Sequence, residues 1–241
     1  MACGSEAQKQ AHLPKLADGT YPAGAFCLTE AGAGSDPSAM KARAEKSGNG
    51  WVLNGAKLYI TSASYAGIFV VWAVTDPDAP KGKGISCFLV EAGTPGMSVG
   101  TPERKMGQTG SATCEVRFED CRIPADAIMG AENDGFRIAV AELAGGRIGI
   151  AGLALGIARA AMEAAIAYVK EREQFGRKIA DMQGIQWMIA DRETELEAAR
   201  LLILQAADLK QAGKPFARAA SMAKLYASEA AQRATYTALQ M

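Results

Sequence analysis

The chain has little of what many catalytic and binding chemistries require. A single histidine, His12, serves all 241 residues. That excludes His-rich metal sites, no metal is expected, and the position of His12 in an expected surface helix gives it no evident chemistry. The five cysteines, Cys3, Cys27, Cys87, Cys114 and Cys121, are odd in number and form no C-x-x-C pair. This usage suits reduced thiols in an intracellular protein, most of them small core residues. No charge predominates, since 26 Lys and Arg oppose 26 Asp and Glu without a long run of either sign. Nucleic acid and anionic membrane surfaces are therefore not expected partners. No uninterrupted apolar stretch is long enough to cross a bilayer, so no membrane association is expected.

Several familiar motifs are present only in part. Gly32-x-Gly34 lacks the third glycine of a dinucleotide fingerprint, because Pro37 stands there, and no strand-helix unit follows it. Gly82-Lys83 is followed by Gly84 where a P-loop needs Ser or Thr. Gly96-Met97-Ser98-Val99-Gly100 matches the nucleophile elbow by letter. It fails by mechanism, since strands are expected on both sides and no histidine follows to act as base, so it reads as a β-turn entering a strand.

What is present is a chain that can bury a core. Hydrophobic residues make up 49% of the sequence, enough for one large or two medium domains. Residues 6–17 read as a short helix, followed by a linker rich in Gly and Pro. From there to about Ile123 the signals are β: Trp51-Val52-Leu53, Ile68 to Val74, Ile85 to Val90, and alternating Cys114, Val116 and Phe118. Asn54-Gly55 reads as a hairpin turn. After Pro124 the pattern is helical, with segments expected near 133–172, 181–212 and 215–241. The expected fold class is α+β, a small barrel or sandwich followed by an up-and-down helical bundle. The boundaries expected are 1–24 for a helical end and linker, 25–131 for the β-domain and 132–241 for an incomplete bundle. Both ends read as cut, which predicts an internal fragment of a longer chain.

The densest chemistry lies in Phe26 to Asp36, FCLTEAGAGSD, with two hydroxyls, two carboxylates and two glycines in eleven residues. A second threonine ends Lys57-Leu58-Tyr59-Ile60-Thr61. Thr29 and Thr61 are thus expected at strand ends with hydroxyls free for a ligand, although threonine bonds to local backbone as readily. Further on, Gly145, Gly149, Gly152 and Gly156 recur at one helical face. Each glycine costs about 1 kcal/mol relative to alanine in a helix interior. Two explanations stand: a neighbouring helix packs closely there, or a ligand crosses the Gly145-Gly146-Arg147 end, where an arginine can hold an anion.

Seven blocks, in order, carry a resemblance: CLTEAGAGSD, KLYITSAS, KGISCFLVEAGTPGMSVG, RFEDCRIP, ELAGGRIGIAGLALGIA, KEREQFGRKIADMQGIQ and KPFARAASMAKLYASEAA. Together they resemble the acyl-CoA dehydrogenase family, and most of all its short-chain and branched short-chain members. The resemblance implies FAD as cofactor and a fold in which an N-terminal helical domain, a β-domain and a four-helix bundle succeed one another. It places Leu28 and Thr29 at the flavin pyrimidine edge, Tyr59, Ile60 and Thr61 along its other side, and Phe26 among the residues that bind the cofactor. Ser35, Gly146 and Arg147 would contact the acyl-CoA, although Ala144 replaces a polar residue often found there. Arg172, Gln174, Phe175 and Gln183 match positions that bind FAD held by a neighbouring subunit, which implies a homo-oligomer, a tetramer in this family. An electron-transfer flavoprotein would take the electrons. The expected location is the bacterial cytoplasm, or the mitochondrial matrix in a eukaryote.

The resemblance also implies a missing group. Dehydrogenation needs a carboxylate to remove the α-proton. Glu30 is set aside as a structural strand end, Gly146 occupies the alternative position on the first long helix, and Glu142 lies one turn earlier. No catalytic base is therefore assigned in the chain, and it is expected after Met241. Two other readings stay open, a flavin oxidase or monooxygenase of the same fold that uses no CoA, and a non-catalytic fragment.

Overall fold

The computed structural model describes residues 3–241. The chain divides into two compact units, residues 1–140 and 141–241. The first opens with α1 (Glu6–Ala17), whose N-terminus is closed by a capping box: Ser5 accepts from the Gln8 N–H and Gln8 accepts from the Ser5 N–H. Seven strands follow: β1 (Gly24–Cys27), β2 (Arg43–Ser47), β3 (Gly50–Thr61), β4 (Ile68–Val74), β5 (Ile85–Glu91), β6 (Met97–Val99) and β7 (Thr113–Pro124). They form one curled sheet in the order β1-β4-β2-β3-β7-β6, with β5 paired to β4.

The sequence pattern explains these positions. β4 and β5 are apolar on both faces and almost wholly buried, as strands covered on two sides must be. Their side chains feed two clusters. Phe69, Val71 and Phe88 meet Trp51, Leu53, Ile60, Val116 and Phe118 in one. Trp72, Ile85 and Cys87 meet Leu28, Met40, Ile138 and Ala139 in the other. The last two residues belong to α2 (Gly135–Glu171), whose first turn is tied to the sheet by the Trp72 indole N–H donating to the Gly135 carbonyl at 2.7 Å. Cys27 lies in the first cluster, and burial pushes its thiol up to about 12.

Two sequence expectations fail here. The hairpin before β3 turns at Gly48-Asn49, with Gly48 at φ +58, and not at Asn54-Gly55. Gly55 instead sits within β3 against Ala42, where a Cβ would come within 2.7 Å of the Ala42 Cα, so glycine serves close packing there. Strand β2 was not foreseen, because only Ala44 of its five residues is buried and no apolar alternation marks it.

The second unit holds the rest of α2, a two-stranded hairpin of β8 (Glu173–Gln174) and β9 (Arg177–Lys178), α3 (Gln183–Gln211) and α4 (Ala217–Gln240). Its core is built largely of alanine: Ala151, Ala199, Ala206, Ala220, Ala223 and Ala227 in one cluster, and Ala158, Ala231 and Ala234 with Met162 and Leu196 in the other. By length and composition α2 is apolar enough to cross a bilayer. Arg147, Arg159 and Glu163 punctuate the helix, so no uninterrupted apolar run marks it in the sequence. The expected close packing on the glycine face is also not found within the chain. A Cβ at Gly149, Gly152 or Gly156 would meet nothing within 4 Å, and at Gly145 only the flexible end of Lys210.

Candidate functional site in the β-domain

The loop after β1 is folded on itself and then bolted to β3. A tight turn closes Glu30 to Ala33, whose backbone groups exchange hydrogen bonds in both directions. The Glu30 carboxylate is buried and accepts the backbone N–H groups of Lys41 at 2.7 Å and Ala42 at 3.0 Å. It also accepts the Lys57 ammonium at 2.8 Å. Lys57 is fully buried and donates in addition to the Leu28 carbonyl at 3.2 Å. Burial pushes the Lys57 ammonium down from its ordinary value, and the Glu30 carboxylate opposes that shift.

The neighbouring residue of β3 completes the attachment. Pairing with β7 slips by one residue between Lys57 and Ile60, a β-bulge. Within it Tyr59 takes φ +58 and Ser62, just beyond the strand, takes φ +66, left-handed conformations that cost a non-glycine residue about 1–3 kcal/mol each. The Leu58 N–H donates to the Thr29 carbonyl at 2.8 Å. The bulge also turns Tyr59 outward, 66% exposed, and Ile60 into the core.

The sequence-predicted residues of this unit are thereby sorted. Thr29 is half-buried and Thr61 exposed. Neither hydroxyl has a hydrogen-bond partner among the described residues, although the backbone around Thr29 is held on both sides. Tyr59 is exposed, and Phe26 is partly so, its ring 4.4 Å from that of Trp72. Leu28 and Ile60 are buried, one in each of the two core clusters, so their side chains face the interior. Ser35 is exposed on the far limb of the loop, where its hydroxyl is unpartnered. Next to it, Lys81 and Ser38 hold the Asp36 carboxyl below its usual range. A cleft of about 480 Å³ opens beside this limb, with Lys41, Arg43 and Lys81 among its lining residues.

In the second unit, Gly146 and Arg147 are exposed on α2. Arg172, Gln174 and Phe175 are exposed in the connection from α2 to α3, and Gln183 is exposed at the start of α3. The hairpin there turns at Phe175-Gly176, with φ +55 and +73, two successive left-handed residues as in a type I′ turn. This holds the Phe175 ring out, 92% exposed.

Sequence reasoning missed Lys57. A signal was available: Trp51, Leu53 and Lys57 share strand parity, and inward parity at a lysine calls for a buried counter-ion such as Glu30.

Comparison with known proteins agrees in sequence and in fold. Residues 25–121 match the pattern described as "Acyl-CoA dehydrogenase, middle domain" and residues 133–241 that described as "Acyl-CoA dehydrogenase, C-terminal domain". The rat short/branched chain specific acyl-CoA dehydrogenase, mitochondrial, is 49% identical over 95% of this chain and 52% of its own length. The acryloyl-CoA reductase (NADH) of Anaerotignum propionicum is 49% identical over 99% of this chain and 60% of its own. Butyryl-CoA dehydrogenase of Megasphaera elsdenii superposes with a TM-score of 0.96 at 44% identity, over 99% of this chain and 62% of that one. The chain thus spans between half and two thirds of these relatives, and it belongs to the acyl-CoA dehydrogenase family, whose middle and C-terminal domains it carries.

Proposed function

We propose that this chain supplies the flavin- and thioester-binding parts of an FAD-dependent acyl-CoA dehydrogenase acting on a short, straight or branched acyl-CoA. The observation that carries the reading is the pair of unpartnered threonine hydroxyls, Thr29 and Thr61, on backbone that the bulge and the Lys57–Glu30 pair hold in place. Such donors, fixed in advance, suit a ring on which negative charge develops. FAD, when bound, supplies the acceptor for the substrate's β-hydride. Thr29 would bond the pyrimidine edge, Thr61 the opposite side, and the exposed Tyr59 and Phe26 would cover apolar surface of the ring. Leu28 and Ile60 would contribute through their backbone groups.

Ser35 would hold the pantetheine or phosphate part of the thioester, and Lys41 and Arg43 of the adjoining cleft suit its phosphates. Arg147 and Gly146 would add a contact from α2. Arg172, Gln174, Phe175 and Gln183 would meet FAD of a second copy, which makes the working form a homo-oligomer, a tetramer by family resemblance. Glu30 is not the base, because both its oxygens are occupied by donors. We place the α-proton acceptor outside residues 1–241. An electron-transfer flavoprotein is the electron acceptor in this reading, and no membrane or nucleic acid takes part. The location is the bacterial cytoplasm or the mitochondrial matrix.

The test is spectroscopic. Purified chain mixed with FAD should perturb the flavin absorption bands, and butyryl-CoA or 2-methylbutyryl-CoA should shift them again without bleaching. Ser35→Ala should weaken the thioester about fivefold, the loss of one hydrogen bond. Bleaching by the chain alone would place the base within it, and no response to any acyl-CoA would favour the CoA-independent oxidase reading. The acryloyl-CoA reductase relative supports a second direction, reduction of a short 2-enoyl-CoA, which return of the bands of a previously reduced flavin on adding acryloyl-CoA would reveal.

A further inference from the structure

We propose that Lys57 is a positioning residue for the flavin, acting through Thr29 without touching the cofactor itself. The inference rests on the flavin reading above and adds to it a residue on the opposite side of the backbone. Three successive residues of the loop are fastened to two successive residues of β3. The Leu28 carbonyl accepts from the Lys57 ammonium, the Thr29 carbonyl from the Leu58 N–H, and the Glu30 carboxylate from Lys57 again. Glu30 in turn is anchored by the Lys41 and Ala42 N–H groups. No hydrogen bond among the described residues holds the Thr29 hydroxyl itself. The hydroxyl therefore points where the backbone points it, and Lys57 fixes that backbone from the buried side.

The arrangement is costly for a purely structural purpose. A fully buried lysine and a buried glutamate give up hydration that an apolar pair of the same volume would not need, and such replacements are often neutral or stabilising. Close by, the bulge keeps Tyr59 at φ +58, and strained backbone is retained where the surroundings over-determine it. Both features converge on the two carbonyls flanking the Thr29 hydroxyl. Preorganisation of that hydroxyl is what they have in common, since a donor that must first be ordered gives up part of its binding energy.

The prediction is a non-additive effect on cofactor binding. FAD affinity and the flavin band positions are measured by titration for the wild-type chain, Thr29→Ala, Lys57→Met and the double variant, with thermal melting recorded for each. Thr29→Ala should weaken FAD about five- to tenfold, and Lys57→Met by a similar factor. The double variant should be no weaker than Thr29→Ala alone, because Lys57 acts through the hydroxyl that has been removed. Val90→Ala, a core change elsewhere in the same unit, serves as the stability control and should leave the bands in place.

Independent, additive losses from Lys57→Met and Thr29→Ala would overturn the proposal, as would an equal band shift in Val90→Ala. Breaking a buried pair risks unfolding, so Glu30→Gln, which keeps the side-chain size, is run in parallel and should shift the bands in the same direction. If neither variant folds, the pair serves stability and the positioning role falls. The flavin reading fails separately: the wild-type chain then takes up no FAD, or Thr29→Ala binds it unchanged.

Discussion

The two units present their exposed candidate residues on interiors built by opposite means. In the first, large side chains fill the interior: Trp72, Phe69 and Phe88 are each at most 1% exposed. The candidate ligand residues stand on backbone that is hydrogen-bonded from behind. In the second, alanines fill the interior, and the large side chains face outward, among them Trp187 at 64%, Leu225 at 64%, Tyr236 at 68% and Leu239 at 89% exposed. Small residues let α3 and α4 approach closely but bury little apolar area per residue, and the hydrophobic contribution follows that area. The first unit thus carries the means of its own rigidity, whereas the second leaves its apolar weight on the surface.

The comparison breaks most readily at Phe88. Its ring is 0% exposed and lies 5.2 Å from that of Trp51, edge to face. Phe88→Ala should cost about 3–5 kcal/mol, from lost transfer energy and the cavity left behind. Urea unfolding followed by the fluorescence of buried Trp51 and Trp72 would measure it. A loss below about 1 kcal/mol would mean that the β-domain core relaxes around the cavity, and the contrast with the alanine core would lose its basis.

The second unit offers the reverse substitution. Ala227 on α4 is 1% exposed and packs with Ala199, Ala206, Ala220 and Ala223. Ala227→Leu forces extra methyl groups into close helix contact and should destabilise the chain by about 1–3 kcal/mol. Far-UV circular dichroism during thermal melting gives the answer. A neutral or stabilising result would show that α3 and α4 are free to separate, a looser unit than the alanine packing implies.

The same contrast explains what was legible in the sequence. Apolar runs that are covered on both faces, as in β4 and β5, and the alternation of Cys114, Val116 and Phe118 in β7 mark their strands directly. The helices of the second unit were bounded within a few residues, because Phe175-Gly176 and Gly213-Lys214-Pro215 interrupt them. What could not be read were features set by contacts distant in sequence. The Asn54-Gly55 dipeptide has turn chemistry, yet the approach of Ala42 decides its use. The bulge at Leu58-Tyr59 leaves no glycine to mark it. Thr29 and Ser35 stood out by type and resemblance, but Lys57 reads as a solvent-facing charge until Glu30 is seen against it. The glycine face of α2 stays open between two explanations in the sequence for the same reason, since spacing along a helix shows which residues share a face and not what lies against it.

The smallest effect on stability gives the finest test of the contrast. Phe175 is 92% exposed at a turn where it takes φ +55. A phenylalanine there contributes almost no burial and pays for a left-handed conformation, so fold stability gives no reason to prefer it to a smaller residue. Phe175→Ala should leave the melting curve within about 0.5 kcal/mol of wild type. Its effect should instead appear in assembly, as weaker FAD uptake at concentrations where copies associate, since an exposed aromatic ring on a rigid turn suits an anchor at an interface. Equilibrium sedimentation with and without FAD would separate the two contributions. If Phe175→Ala melted several degrees lower as a monomer, the ring would already be buried within its own chain, and the outward-facing apolar weight of the second unit would be a property of packing and not of association.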